Sequence, residues 1–274
     1  MPLWNNDPNV MLVAGHRGAR HIRPENTLTA FKYAIELGVD MAETDIRQTK
    51  DNQLVLMHDE RVDRTTDGSG RVRDFTFAEF RRLNAAAHDE GFEPECPPTL
   101  EELLELVAAH PTMTVNLELK EYPHAEGEAM AYDTADKTVA LAEKYGLGGR
   151  IILNSFSGKL LSHLKREYGS RYPLHGFYPY FYLGPDHGDP DGYLDVACVF
   201  HAEQADGRIR GLEGKVAPQS WFDALIERGI EPWVGADVKT CEDLETAFNR
   251  GARLITADNP EETLEFLRRM GHHR

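Results

Sequence analysis

The sequence predicts an α/β protein built as a TIM (β/α)8 barrel, with a small insertion after the third strand. Three observations carry this. Short apolar runs alternate with amphipathic helical patterns along the chain, giving one strand more than an eight-stranded barrel needs. The length of 274 residues suits one barrel, which takes about 250. Gly15-His16-Arg17-Gly18 after the first strand does not fit G-x-G-x-x-G, which weighs against the alternative, an open nucleotide-binding sheet. We therefore expect one domain over residues 1–274, with residues 59–98 inserted.

Residues 10–14 are apolar and bounded by Asn-Asp-Pro-Asn and Gly15, as in a buried strand that delivers His16-Arg17-Gly18 at its end. Pro24-Glu25-Asn26-Thr27 starts a helix with Leu28, Phe31 and Ile35 on one face and Gly38 as its stop. Residues 41–46 and 54–57 read as the second and third strands. The connection between them is too short for a helix, and a parallel pairing would require an extended return. We expect such a helix-less parallel connection.

Residues 59–98 lack a strong period, apart from a short helix over 76–83, and an insertion this long reads as functional or lid-like. Thr99 and Glu102 form a capping box before Leu100, Leu103, Leu104 and Val107. Further strands are expected over 114–120, 150–156, 172–178, 231–238 and 253–256, with 196–200 as an extra segment. Helices are expected over 134–145, 157–168, 218–228 and 240–250, and a last one is capped by Asn259 with Pro260 in its first turn.

The net charge of -16, from 30 basic and 46 acidic residues, argues against nucleic-acid binding and against a polybasic membrane anchor. Cys96, Cys198 and Cys241 are far apart and form no Cys-x-x-Cys pair, so reduced, incidental thiols are expected. The N-terminal stretch lacks a basic start followed by a long apolar run, and no later stretch reaches the length of a membrane span. This predicts a soluble, cytoplasmic protein.

In a barrel of this type chemistry sits at the C-terminal ends of the strands. That rule gathers His16 and Arg17, Glu43 and Asp45, His58, and Glu118 and Lys120. Glu43 and Asp45 lie two apart, as do Glu118 and Lys120, so each pair shares a face. Alone, Glu43-x-Asp45 reads as an exposed strand edge and each histidine as a packed or surface residue. Together the set offers three carboxylates for a hard cation, two histidines for proton exchange, and two cations for an anion. These are the parts needed to cleave a phosphate ester.

The successive motifs His16-Arg17-Gly18, Pro24-Glu25-Asn26-Thr27, Glu43-x-Asp45, Leu54-Val-Leu-Met-His58-Asp59, Arg64-Thr-Thr-Asp-Gly68, Glu118-x-Lys120 and Thr256-Ala-Asp-Asn-Pro260 resemble, in order, those of the glycerophosphodiester phosphodiesterase family. The resemblance implies a phosphodiesterase-type barrel acting on a small-molecule phosphodiester. It further implies Mg2+ or Ca2+ held by Glu43, Asp45 and Glu118, with His16 and His58 as general acid and base. Arg17 and Lys120 would hold the phosphate. A substrate hydroxyl would attack phosphorus, and water would open the cyclic phosphate. Trp233-Val-Gly-Ala-Asp237 departs from the family's Trp-Thr-Val-Asn, keeping the aromatic, so Trp233 is expected to wall the glycerol site or to pack in the core. Residues 177–183 would line an alcohol-side pocket or face a partner. The alternatives are a related phospholipase D acting on lysolipids and a non-catalytic phosphoester-binding barrel.

Overall fold

The structure, a computed structural model, describes residues 7–274; the first six residues, part of the stretch read above for a leader, lie outside the described residues. The chain opens with β1 (Leu12–Gly15), α1 (Leu28–Leu37), β2 (Met41–Gln48) and β3 (Leu54–Leu56). The inserted segment carries the short α2 (Phe77–Phe80) and leads into α3 (Leu100–Ala108). Then come β4 (Thr114–Leu119), α4 (Pro123–Glu126), α5 (Glu128–Lys144), β5 (Ile151–Asn154), α6 (Gly158–Tyr168), β6 (Leu174–Tyr178) and β7 (Val196–Val199). The final part holds β8 (Ala202–Ala205), β9 (Arg208–Gly211), α7 (Gln219–Glu227), β10 (Glu231–Trp233), α8 (Cys241–Asn249), β11 (Leu254–Ala257) and α9 (Pro260–Met270).

The main sheet has nine strands in the order β10-β7-β6-β5-β4-β2-β1-β11, with β3 off this path, which leaves eight for the ring. Val234 closes it: its N–H donates to the Leu254 carbonyl at 3.0 Å and its carbonyl accepts from Thr256 N–H at 3.0 Å. The pairings around the ring are parallel, so the predicted barrel is present.

Two assignments are corrected. The third strand does not join the barrel in parallel: β3 pairs antiparallel to β2, with Ile46 opposite Leu56 and Gln48 opposite Leu54. The turn explains this. Thr49 N–H donates to the Gln53 carbonyl at 3.0 Å, the Thr49 hydroxyl to Asp51 at 2.7 Å, and Asn52 is left-handed at φ 61°. So tight a reversal can only make a hairpin. Conversely, residues 196–199, taken from the sequence as an extra segment, form barrel strand β7 between β6 and β10. The long aromatic stretch before it, in place of a helix, disguised its rank. A small antiparallel hairpin, β8 with β9, follows β7 and has no counterpart in the sequence reading.

Helix boundaries follow their chemistry. Thr27 caps α1 by accepting from Ala30 N–H, and Gly38 ends it in the left-handed conformation. The Thr99–Glu102 capping box forms, and Leu100, Leu103, Leu104 and Val107 are all buried. The insertion builds a small core of its own from Val62, Val72 and Phe80 against Val55 and Met57. Among the described residues, no helix is long and apolar enough to cross a membrane. The three cysteines are free.

Inside the barrel, alternate residues of each strand point inward. Leu12, Ala14, Met41, Ile152, Val196, Trp233 and Leu254 form one buried apolar cluster. One pleat further along the strands the inward positions become polar, and they line a cavity of about 240 Å3.

Candidate active site

The cavity brings together His16, Arg17, Glu43, His58, Glu118 and Lys120, all expected from the sequence. Asp45 pairs in register with Glu118, and Glu43 with Asn116. Glu43, Asp45 and Glu118 are buried, and one carboxylate oxygen of each lies within 4.8 Å of the others. The β2–β3 hairpin matters here. By folding back, with Met57 N–H donating to the Asp45 carbonyl at 3.0 Å, it returns His58 to the same mouth that a parallel strand would have served.

Three buried carboxyl groups this close need compensation. Arg17 supplies part of it through an unusual backbone. At φ 50° it is left-handed, followed by Gly18 at φ 86°, where an added Cβ would meet the Ala30 backbone at 2.7 Å. The turn aims the Arg17 N–H at Glu43 (2.9 Å) and its guanidinium at Asp45 (3.1 Å) and Glu25 (2.9 Å). Lys120 Nζ contacts Glu118 and lies 3.1 Å from Asp45. Asn26, itself left-handed at φ 54°, donates to Asp45 at 2.9 Å while accepting from the Thr44 hydroxyl at 2.9 Å.

The charges respond accordingly. Burial, reinforced by Asp45 and Glu118, pushes the Glu43 carboxyl well above the usual range. Burial alone would raise Asp45 too, but Lys120 and Arg17 hold it far below. Lys120 stays protonated because Asp45 and Glu118 outweigh its own burial. Asp45 Oδ1 is buried and accepts no hydrogen bond although the Lys120 ammonium is close. An all-oxygen donor set with one buried oxygen left without a hydrogen bond fits a hard divalent ion.

Both histidines are held alike. His16 Nδ1 lies 2.6 Å from Asp258, and His58 Nδ1 lies 2.6 Å from Asp59. A carboxylate on Nδ1 fixes the tautomer and leaves Nε2 for proton exchange. His16 Nε2 is 3.9 Å from Glu43. Burial lowers the His58 pKa, with Asp45 opposing. Asp59 also pairs with Arg64 at 2.6 Å, and Arg64 with Glu25 at 2.7 Å. An ionic chain thus runs from His58 through Asp59, Arg64 and Glu25 back to Arg17.

Trp233 is not where a substrate-wall role would need it. It is fully buried in the apolar layer below the cavity, with its indole N–H donating to Glu231 at 2.7 Å. The aromatic wall is built instead by Phe156, Phe177 and Phe200, with Phe156 and Phe177 stacked at 3.5 Å and Tyr182 against Phe200 at 5.0 Å. Of the 177–183 stretch, Phe177 therefore faces the cavity, while Leu183 packs in the main core. Asp59, Asp258, Glu25, Asn26 and Arg64 lay inside the motifs but received no role from sequence. Asp59 alone carried a signal in sequence, its place next to His58. Asn116, Asn154 and His175 were missed entirely; strand periodicity counted back from Glu118 and Phe156 reaches the first two.

Residues 16–180 match the family model described as glycerophosphoryl diester phosphodiesterase family. A glycerophosphodiester phosphodiesterase of Caldanaerobacter subterraneus subsp. tengcongensis is 41% identical over 272 residues, 95% of this chain and 99% of that protein. This chain belongs to the glycerophosphodiester phosphodiesterase family. As a member it is a phosphoric diester hydrolase. Solved structures agree on the fold. A putative glycerophosphoryl diester phosphodiesterase from Silicibacter pomeroyi superposes with a TM-score of 0.78 at 24% identity, covering 96% of this chain and 95% of that one. An Oleispira antarctica phosphodiesterase, solved in complex with the product sn-glycerol-3-phosphate, gives 0.74 at 20% identity, with 94% and 97% covered.

Proposed function

We propose that this chain is a metal-dependent enzyme that hydrolyses glycerophosphodiesters to glycerol 3-phosphate and an alcohol. Glu43, Asp45 and Glu118 hold Mg2+ or Ca2+. The observation that carries this reading is a pair of aspartate-held histidines lining the same cavity as a buried carboxylate triad. The names of the family relatives and the glycerol phosphate held by the Oleispira protein support the substrate class.

The chain's own residues divide the work as follows. Arg17 and Lys120 orient the phosphodiester and offset its charge. One histidine Nε2 takes the proton of the glycerol 2-hydroxyl, whose oxygen attacks phosphorus. The other histidine gives a proton to the departing alcohol oxygen. With roles exchanged, the pair then admits water to open the cyclic phosphate. A bound divalent ion supplies positive charge where the phosphoryl oxygens gain negative charge. A cavity of about 240 Å3 suits the glycerol phosphate unit.

The test is direct. Chelated protein should lose activity on glycerophosphocholine and regain it with Mg2+ or Ca2+, and lysophosphatidylcholine assayed alongside should be the poorer substrate. Full activity without metal, or in His16→Ala, would overturn the mechanism.

A further inference from the structure

The two histidines of the proposed mechanism are anchored by different means. His16 follows barrel strand β1, and its N–H donates to the Ala257 carbonyl of β11 at 3.0 Å, so the barrel's own ladder fixes its backbone. His58 follows β3, which lies off the barrel and pairs with β2 over the three residues Leu54–Leu56. Among the described residues, no backbone N–H donates to the His58 carbonyl. The same holds for the carbonyl of Lys120, one residue past the end of β4, although the Lys120 N–H is tied to Ile46 of β2 at 3.1 Å. Two carbonyls of the site therefore lack the ladder donors that strand residues normally have.

Arg47 serves both. It lies on β2 two residues beyond Asp45, so the pleat puts it on the same face, where it is buried without lining the cavity. Its Nε and Nη2 donate to the His58 carbonyl at 3.1 and 2.9 Å, and its Nη1 to the Lys120 carbonyl at 3.4 Å. Glu121 Oε2, 3.8 Å from Nη1, offsets its charge. A planar guanidinium with its donors in a fixed fork holds two acceptors at a set separation, which a single flexible ammonium does not.

We propose that Arg47 is a positioning residue that fixes the backbone of His58 against that of Lys120, and thereby sets the imidazole against the phosphate that Lys120 holds. This rests on the activity proposed above. Lys120 is the anchored end of the clamp, because its strand belongs to the barrel. His58 is the end that is placed. Since Arg47 does not line the cavity, it acts through these two backbones and not on the substrate.

The test uses metal-loaded full-length protein. On glycerophosphocholine, Arg47→Met should lower kcat about tenfold to a hundredfold, the cost of a misplacement of about 1 Å. KM should change little, since the Arg17 and Lys120 side chains remain. Arg47→Lys, which reaches one carbonyl at a time, should keep part of kcat. The deciding arm is a double-mutant cycle with His58→Ala, followed in all four proteins on a nitrophenyl diester of glycerol, whose good leaving group keeps the residual rate measurable. With His58 already removed, Arg47→Met should cost nothing further. A residue that only supports the fold would cost the same factor in both backgrounds, and that result overturns the proposal. So does an unchanged kcat in Arg47→Met, or a loss confined to KM; in each case an active wild type leaves the activity reading standing. If Arg47→Met does not fold, Arg47→Lys carries the same cycle. A wild type inactive on both diesters removes the activity reading, and the positioning role with it.

Discussion

Two adjacent layers of the same barrel share strands and backbone geometry yet do opposite things. In the lower layer Leu12, Met41, Ile152, Val196, Trp233 and Leu254 exclude water and pack. Along the same strands, two residues further on, Met41 gives way to Glu43, Ile152 to Asn154 and Val196 to Cys198, all lining the cavity. Each apolar side chain below contributes about 1.5–3 kcal/mol by leaving water. Each charge above costs free energy unless a partner offsets it. The pleat places both sets on one inner face, so residue chemistry alone separates the layer that stabilises from the layer that reacts.

The sharpest way to break this contrast is to neutralise one upper carboxylate. Glu43→Gln should lower kcat/KM by roughly a thousandfold or more, since positive charge at the phosphoryl oxygens supplies several kcal/mol. In chelated protein the same change should raise the melting temperature at neutral pH. Glu43 titrates well above its ordinary 4.5 in the folded chain, so its contribution is most favourable below that value and is lost as pH rises through the folded pKa. The gain from the substitution should therefore vanish near pH 4 and grow as pH increases, in thermal melts of both proteins across pH. A melting temperature that drops at neutral pH would mean the triad is not strained without metal.

Trp233 tests the lower layer. Trp233→Ala should cost about 3–5 kcal/mol in denaturant unfolding and change KM little in the fraction that stays folded. A large rise in KM with stability intact would return Trp233 to the substrate wall that the sequence allowed. That residue also shows where sequence reading ends. Most of the ring, the capped helices and the positions of the proposed metal, phosphate and proton-transfer residues were legible, because period two and the strand-end rule locate them one strand at a time; β7 was not, because an aromatic stretch stands where a helix would announce it. The direction of β3 was not, because Thr49, Asp51 and Asn52 decide it through turn hydrogen bonds that strand patterning does not reveal. Nor was the depth of Trp233, since a strand places residues on a face but does not say how far down the barrel they sit. Asn154 and His175 escaped for the same reason: they line the cavity as neighbours only through the β5–β6 register.

The smallest effect is the most discriminating. Asp59 sits at the margin between the upper layer and the insertion, joined to His58 and Arg64, and those bonds hold its carboxyl down to about 2. Its hydrogen bond in turn raises the His58 pKa against the dominant lowering by burial. Asp59→Asn removes that support, so His58 should titrate lower still. If His58 is the base in the step reported by kcat/KM, the acidic limb of the pH profile moves to lower pH; if it is the acid, the alkaline limb does. Activity at the optimum should fall only modestly, because His58 keeps its amide partner at position 59. A profile in which neither limb moves would remove His58 from proton transfer, and the upper layer would then have to act through His16 alone.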